Sequence, residues 1–188
     1  TSGNNNVVVG YEAGLGVTGT STFANTVAVG YQALTALTTG ASNTAVGYQA
    51  GLAQTTARSN TFLGYQAGMA LTTQGGNTLL GHQAGLASTA SNNVFIGNGA
   101  SKARTSGGNS IAIGNNANGG NASGNNSYSY IIIGADAASY NASGQTHSAA
   151  VIIGVGAAST SGVQGANVLV GNGTNRFGGS GTVALGYE

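Results

Sequence analysis

Three carboxylates and two histidines, Glu12, Asp136, Glu188, His82 and His147, are the only side chains in this sequence suited to acid–base work near neutral pH. Hydrolysis of a glycan needs two carboxylates flanking one bond. Glu12 and Glu188 stand at opposite ends of the chain and cannot meet within one elongated molecule. A metal site needs several converging ligands, and a nucleophilic triad needs a histidine oriented by an acid. His82 and His147 have neither an acid nor a second histidine nearby in sequence. Cysteine is absent, which excludes disulfides and thiolate-held metals. Gly14-Leu15-Gly16-Val17-Thr18-Gly19 has the spacing of a dinucleotide fingerprint. No helical pattern follows it, and Leu34 and Thr35 stand where a ribose-binding acid is required. Recurrent Asp, as in calcium-binding nonapeptide repeats, is missing. The sequence therefore assigns no catalytic residue, no metal ligand and no cofactor, and points away from an enzyme.

Binding chemistry is better represented. Tyr11, Tyr31, Tyr48 and Tyr65, followed by His82, recur at one place in successive repeats and predict an aromatic ladder along one edge, read either as stacking that stabilises the coil or as a sugar- or protein-binding stripe. A second candidate surface lies in two polar segments, 118–130 and 139–149, through Tyr128, Tyr130, Tyr140 and His147. Asn-x-Ser/Thr sequons at Asn121, Asn125, Asn141 and Asn172 are candidate glycosylation positions. A chain this rich in Asn, Ser and Thr produces about that many by composition alone.

Composition narrows the partners. Only 4% of residues are charged and the net charge is +1, so there is no basic surface for a phosphate backbone. Nucleic acid is excluded on that ground. No apolar run is long enough to insert into a membrane as a helix. Glycine is abundant, at 35 residues, and proline is absent. Disordered chains combine low hydrophobicity with high net charge. Here aliphatic residues recur at fixed places, so the chain reads as ordered.

The elements that position these residues are repeats. Asn43-Thr44-Ala45-Val46-Gly47-Tyr48-Gln49-Ala50-Gly51 comes back, whole or worn, eleven times. Copies are anchored on Gly10, Gly30, Gly47, Gly64, Gly81, Gly97, Gly114, Gly134, Gly154, Gly171 and Gly186, with spacings of 17, 17, 17, 16 and 17 from Gly30 to Gly114. An aliphatic residue precedes every anchor, and a β-branched one stands two positions before that. The period of two predicts a strand. The residue between them (Ala45, Phe62, Leu79, Phe95, Ile132 and equivalents) is never polar, so both strand faces are expected to be buried. Thr44 and Val46 are expected to fill the coil, and Ala45 to face another copy of the chain.

The glycine reads as a corner, and the alanine three residues on as a tight inner bend. Leu15, Leu52, Met69 and Leu86 are expected to open a second, shorter strand. Asn25, Asn43, Asn60, Asn77, Asn93, Asn109 and Asn167 are expected to stack as a side-chain amide ladder. The fold class is all-β, a parallel β-solenoid of about ten to eleven turns, in one repeat domain over 1–188. Residues 1–90 carry Gly-Tyr-Gln-Ala-Gly corners, and 91–188 carry Gly-Asn-Asn-Ala corners with longer loops. Both termini cut a repeat, which reads as a piece of something longer.

Asn109-Ser110-Ile111-Ala112-Ile113-Gly114-Asn115-Asn116-Ala117 resembles the head repeat of trimeric autotransporter adhesins, Asn-Ser-x-Ala-x-Gly-x-x-(Ala/Ser). The Gly-Tyr-Gln-Ala repeats are similar to those of phage tail-fibre proteins. The resemblance implies a left-handed β-roll, trimeric, at a cell or virion surface. It also implies adhesion to a host glycan or protein, or receptor recognition. The expected function is an extracellular fibrous adhesin or receptor-binding fibre segment that partners itself as a homotrimer. The alternative is a structural subunit of a self-assembling extracellular filament.

Overall fold

The computed structural model describes residues 3–16, 21–119, 129–139, 149–157, 167–173, 181 and 183–186. Eleven three-residue strands stand where the aliphatic triplets predict them. They are β1 (Val7–Val9), β2 (Val27–Val29), β3 (Thr44–Val46), β4 (Thr61–Leu63), β5 (Thr78–Leu80), β6 (Val94–Ile96), β7 (Ile111–Ile113), β8 (Ile131–Ile133), β9 (Val151–Ile153), β10 (Val168–Val170) and β11 (Val183–Leu185). They form one parallel sheet in chain order, β1 to β11, and every rung is in register with the next. The all-β parallel solenoid is therefore the architecture. No helix occurs among the described residues. Unequal repeat lengths leave the register untouched, because the extra residues enter between one corner and the next rung.

The strands β1 to β9 are short because a special backbone conformation closes each at both ends. The corner glycines have φ near +135°, as at Gly30 (135°) and Gly64 (136°). A Cβ on Gly64 would lie 2.4 Å from the carbonyl oxygen of Gly81 in the next rung, so glycine is the residue that fits. Two residues before ten of the strands the chain has positive φ, at Asn5, Asn25, Ser42, Ser59, Gly76, Asn92, Asn109, Ser129, Ala149 and Gly181. Asn, Ser and Gly dominate there because their short or missing side chains tolerate positive φ.

The two strand faces are the reverse of the sequence expectation. The central residue of each strand points into the coil: Ala28, Ala45, Phe62, Leu79, Phe95, Ala112, Ile132 and Ile152 are all fully buried. The flanking residues point outward, with Thr44 and Thr61 exposed and Val46 half-buried. Opposite the central column stand the alanines Ala33, Ala50, Ala67, Ala84, Ala100, Ala117 and Ala137, also fully buried. Volumes compensate across the coil. The small Ala28 is accompanied by buried Leu34 and Leu37. The Phe62 ring is accommodated by Gly51 and Gly68, at each of which a Cβ would come within 2.7 Å of a ring carbon.

The second strand expected at Leu15, Leu52, Met69 and Leu86 does not form. Leu52, Met69 and Leu86 lie in turns and Leu15 in irregular chain, and all four are exposed or half-buried. Short-range bonds such as Leu52 N–H to Gln49 O (3.3 Å) alternate there with bonds to the next coil, such as Ala53 N–H to Met69 O (3.1 Å). The inward residue of that segment is instead Leu37, Gln54, Leu71, Ser88 or Arg104, all buried.

The asparagine column also differs from expectation. Asn43, Asn60, Asn77, Asn93 and Asn167 stand immediately before their strands and are buried. Asn25 and Asn109 fall one residue earlier, at the exposed left-handed position. The ladder joins side chain to backbone: Asn43 Oδ1 accepts Asn60 N–H (3.0 Å), Asn60 Oδ1 accepts Asn77 N–H (2.8 Å), and Asn77 Oδ1 accepts Asn93 N–H (3.0 Å). One amide–amide bond joins Asn77 Nδ2 to Asn60 Oδ1 (3.2 Å).

Candidate binding surfaces

Among the described residues, the one after a corner glycine lies on the outside of the coil. Over five successive coils it is Tyr11, Tyr31, Tyr48, Tyr65 and His82, all exposed. Their rings stack as the sequence predicts, with centroids 5.3, 5.2, 5.1 and 5.0 Å apart and planes within 13° of parallel. The backbone fixes this spacing. Each coil bonds to the last beyond the strand itself, as in Gln49 N–H to Tyr31 O and Gln66 N–H to Tyr48 O, both 2.8 Å. The column therefore inherits the interstrand repeat of roughly 4.8 Å, and the rings tilt slightly to reach contact.

A second column runs beside the first. Glu12, Gln32, Gln49, Gln66 and Gln83 all hold positive φ, from 53° to 55°. Such a backbone is costly for a residue with a Cβ. Side-chain bonds offset part of that cost. Gln32 Nε2 donates to Glu12 Oε2 (2.7 Å), Gln49 to Gln32 Oε1 (2.9 Å), Gln66 to Gln49 (3.0 Å) and Gln83 to Gln66 (2.9 Å). The amides all point one way, and the chain of bonds ends on the Glu12 carboxylate. That carboxylate, through a hydrogen bond and its negative charge, raises the pKa of the adjacent Tyr11 phenol above its ordinary value.

Beyond His82 the outward column becomes Asn98, Asn115, Ala135, Val155 and Asn172. Asn172 is exposed, and its Oδ1 accepts the Val155 N–H at 3.1 Å. The other sequon residues, Asn121, Asn125 and Asn141, lie outside the described residues. So do Tyr128, Tyr140 and His147.

Tyr130 is not part of a surface. It is 1% exposed and points into the coil, in the column held elsewhere by Asn93 and Ser110. Its hydroxyl meets Asn118 Nδ2 (2.9 Å) and Ser101 Oγ (3.2 Å), and its ring carries the Arg104 guanidinium at 4.4 Å. Arg104 also donates to the carbonyls of Ser106 (2.5 Å) and Gly107 (2.8 Å). The sequence reading passed over Arg104. Its place in the Leu37 and Leu71 column, seven residues after the corner, was the available signal.

The remaining surface is the outward sheet face. Val7, Val9, Leu63, Leu80, Ile131, Ile133, Ile153, Val183 and Leu185 are exposed along it. Val27, Val29, Val46, Val94, Ile96, Ile111, Ile113, Val151, Val168 and Val170 are half-buried between them. Thr44, Thr61 and Thr78 are its polar members, and it bears no charge. Eleven rungs at about 4.8 Å, two side chains wide, make a strip on the order of 500 Å². Among the described residues no three His, Cys, Asp or Glu side chains cluster as a metal site would require. Comparison with family models, curated proteins and solved structures gave no match for this chain.

Proposed function

We propose that this chain is a segment of an extracellular adhesive or receptor-binding fibre, at a cell or virion surface. Three copies stand around a common axis with their sheet faces turned inward. The observation that carries the reading is the uncharged aliphatic face. Parallel sheets are stable with both faces covered, whereas here one face packs on the coil interior and the other is bare. A strip of that size is in the range at which exposed apolar surface marks an interaction site. Covering it with copies of the same rung pattern matches apolar columns to apolar columns along the whole rod. The rod then displays its outward columns. Three linked copies multiply weak contacts with a host glycan or protein by avidity.

Light scattering tests the assembly, beside a Leu63→Asp, Ile133→Asp variant. The expected wild-type mass is three times the chain mass of 18.1 kDa. The variant places charge on the outward face and should fall to a folded monomer. A wild-type monomer would defeat the proposal. Filaments longer than a single rod in electron micrographs would favour the alternative, a self-assembling extracellular filament.

A further inference from the structure

We propose that the Tyr11–His82 stripe with its glutamine column is a docking track for one extended, uncharged β-1,4-linked polysaccharide chain lying along the solenoid axis. The inference deepens the fibre reading by naming a ligand class and placing the contact at the coil corners. Five outward side chains repeat every 5.0–5.3 Å over about 20 Å. That step matches the advance per sugar of an extended β-1,4-linked glycan, so each sugar faces one coil, and alternate sugars, which are turned over in such a chain, present the same edge every second coil. An extended peptide advances about 3.3 Å per residue and drifts out of step within a few residues.

The stacking itself decides how a ligand is held. Both faces of Tyr31, Tyr48 and Tyr65 are covered by neighbouring rings, so a sugar cannot lie on them. The rings instead present edges and a comb of phenol hydroxyls, each both a donor and an acceptor. Beside them, the ladder uses one N–H and one carbonyl lone pair of each inner glutamine amide. A second N–H and a second lone pair remain on each. The comb is ordered before any ligand arrives, which lowers the entropic cost of binding. Apart from Glu12 at one end, the stripe is made of Tyr, Gln and His82, so nothing in it attracts a polyanion.

The fold does not require tyrosine there. Asn98, Asn115, Ala135 and Val155 occupy the same place on later coils, with the sheet register unchanged.

The test is depletion of the full chain from solution by microcrystalline cellulose and by chitin particles, with granular α-1,4-glucan as the non-matching polymer. Tyr31→Phe, Tyr48→Phe and Tyr65→Phe are combined in one variant, which keeps the rings and removes three hydroxyls. Retention is expected on one or both β-1,4-linked polymers and not on the α-linked one, with the variant binding about tenfold or more weakly. Circular dichroism and thermal melting should show the variant folded like the wild type. Equal retention on α- and β-linked polymers, undiminished retention of the folded variant, or no retention at all would overturn the proposal. Trimeric rods without glycan retention sink this inference alone. A glycan-retained monomer sinks the fibre assembly alone.

Discussion

Gly64→Ala tests the structural logic of the whole rod. The corner glycine has φ of +136°, and its added Cβ would sit 2.4 Å from the oxygen and 2.7 Å from the carbon of the Gly81 carbonyl. Forcing an alanine into that conformation costs about 1–3 kcal/mol. The clash is with backbone, so relief requires moving the next rung. Two bonds depend on that rung staying in place, Gly81 N–H to Leu63 O and Gln83 N–H to Tyr65 O, both 2.8 Å. Weakening both adds about 1–2 kcal/mol. The expected loss is about 2–5 kcal/mol, a large part of a domain's usual margin. Gly156→Ala is the internal control. It shares positive φ (+64°), but among the described residues its Cβ would meet nothing within 4 Å, so it should cost only about 1 kcal/mol. Urea unfolding by circular dichroism, at fixed protein concentration, measures the difference. Similar losses for the two substitutions would refute the claim that close approach of stacked corners dictates the glycine column.

Three further expectations follow from the interior and the ladders. Asn60→Ala removes the acceptor of the Asn77 N–H and the donor to Gln74 O, both inside the coil, and should cost about 2–3 kcal/mol in the same assay. Asn25→Ala, at the exposed left-handed position, should cost about 1 kcal/mol. Phe62→Ala should cost about 3–5 kcal/mol, whereas Leu63→Ala should leave the urea stability of a monomeric background within about 0.5 kcal/mol; the opposite ranking would restore the reversed face assignment. Glu12→Gln should lower the pH at which Tyr11 ionises, read by phenolate absorbance. Because Glu12 raises that pKa, the neutral phenol is favoured in the folded chain. Its contribution is present below the ordinary phenol range and is lost as pH rises through the raised value, so the mutation, by removing the main cause of the raise, should shrink this loss.

The rungs were legible because two signals coincide: β-branched residues at a period of two, and glycine at a nearly constant spacing. Which face points inward was not legible from hydrophobicity, since neither face is polar. Side-chain volume held the missing cue. The outward columns are uniformly Val, Ile, Leu or Thr, as a regular interface allows. The central column swings from Ala45 to Phe62, and such swings need compensation across a closed coil, which Gly51 and Gly68 supply. Asn25 and Asn109 were misplaced because two asparagine-tolerant columns lie one residue apart for different reasons. One supplies a side-chain acceptor, and the other tolerates a left-handed backbone. Tyr130 was read as a loop residue because an insertion precedes it. Counting back four residues from Gly134 instead puts it in the buried column with Asn93 and Ser110.

The same column logic separates what the fold demands from what it leaves free. Gly64 is dictated by the carbonyl of the next rung, Ala67 by the closed interior, and Asn60 by an otherwise unpaired N–H. Gln66 is tied by its strained backbone to its ladder neighbours. Tyr65 has no such constraint: its position points outward, and on later coils it becomes Asn, Ala or Val with no change in register. An exposed position that the backbone does not specify would ordinarily collect small polar residues in a chain with this composition. Four successive coils carry tyrosine there instead, in stacking contact. The fold explains why those rings are parallel and evenly spaced. It does not explain why they are rings, and that remainder is what a ligand commensurate with the coil would account for.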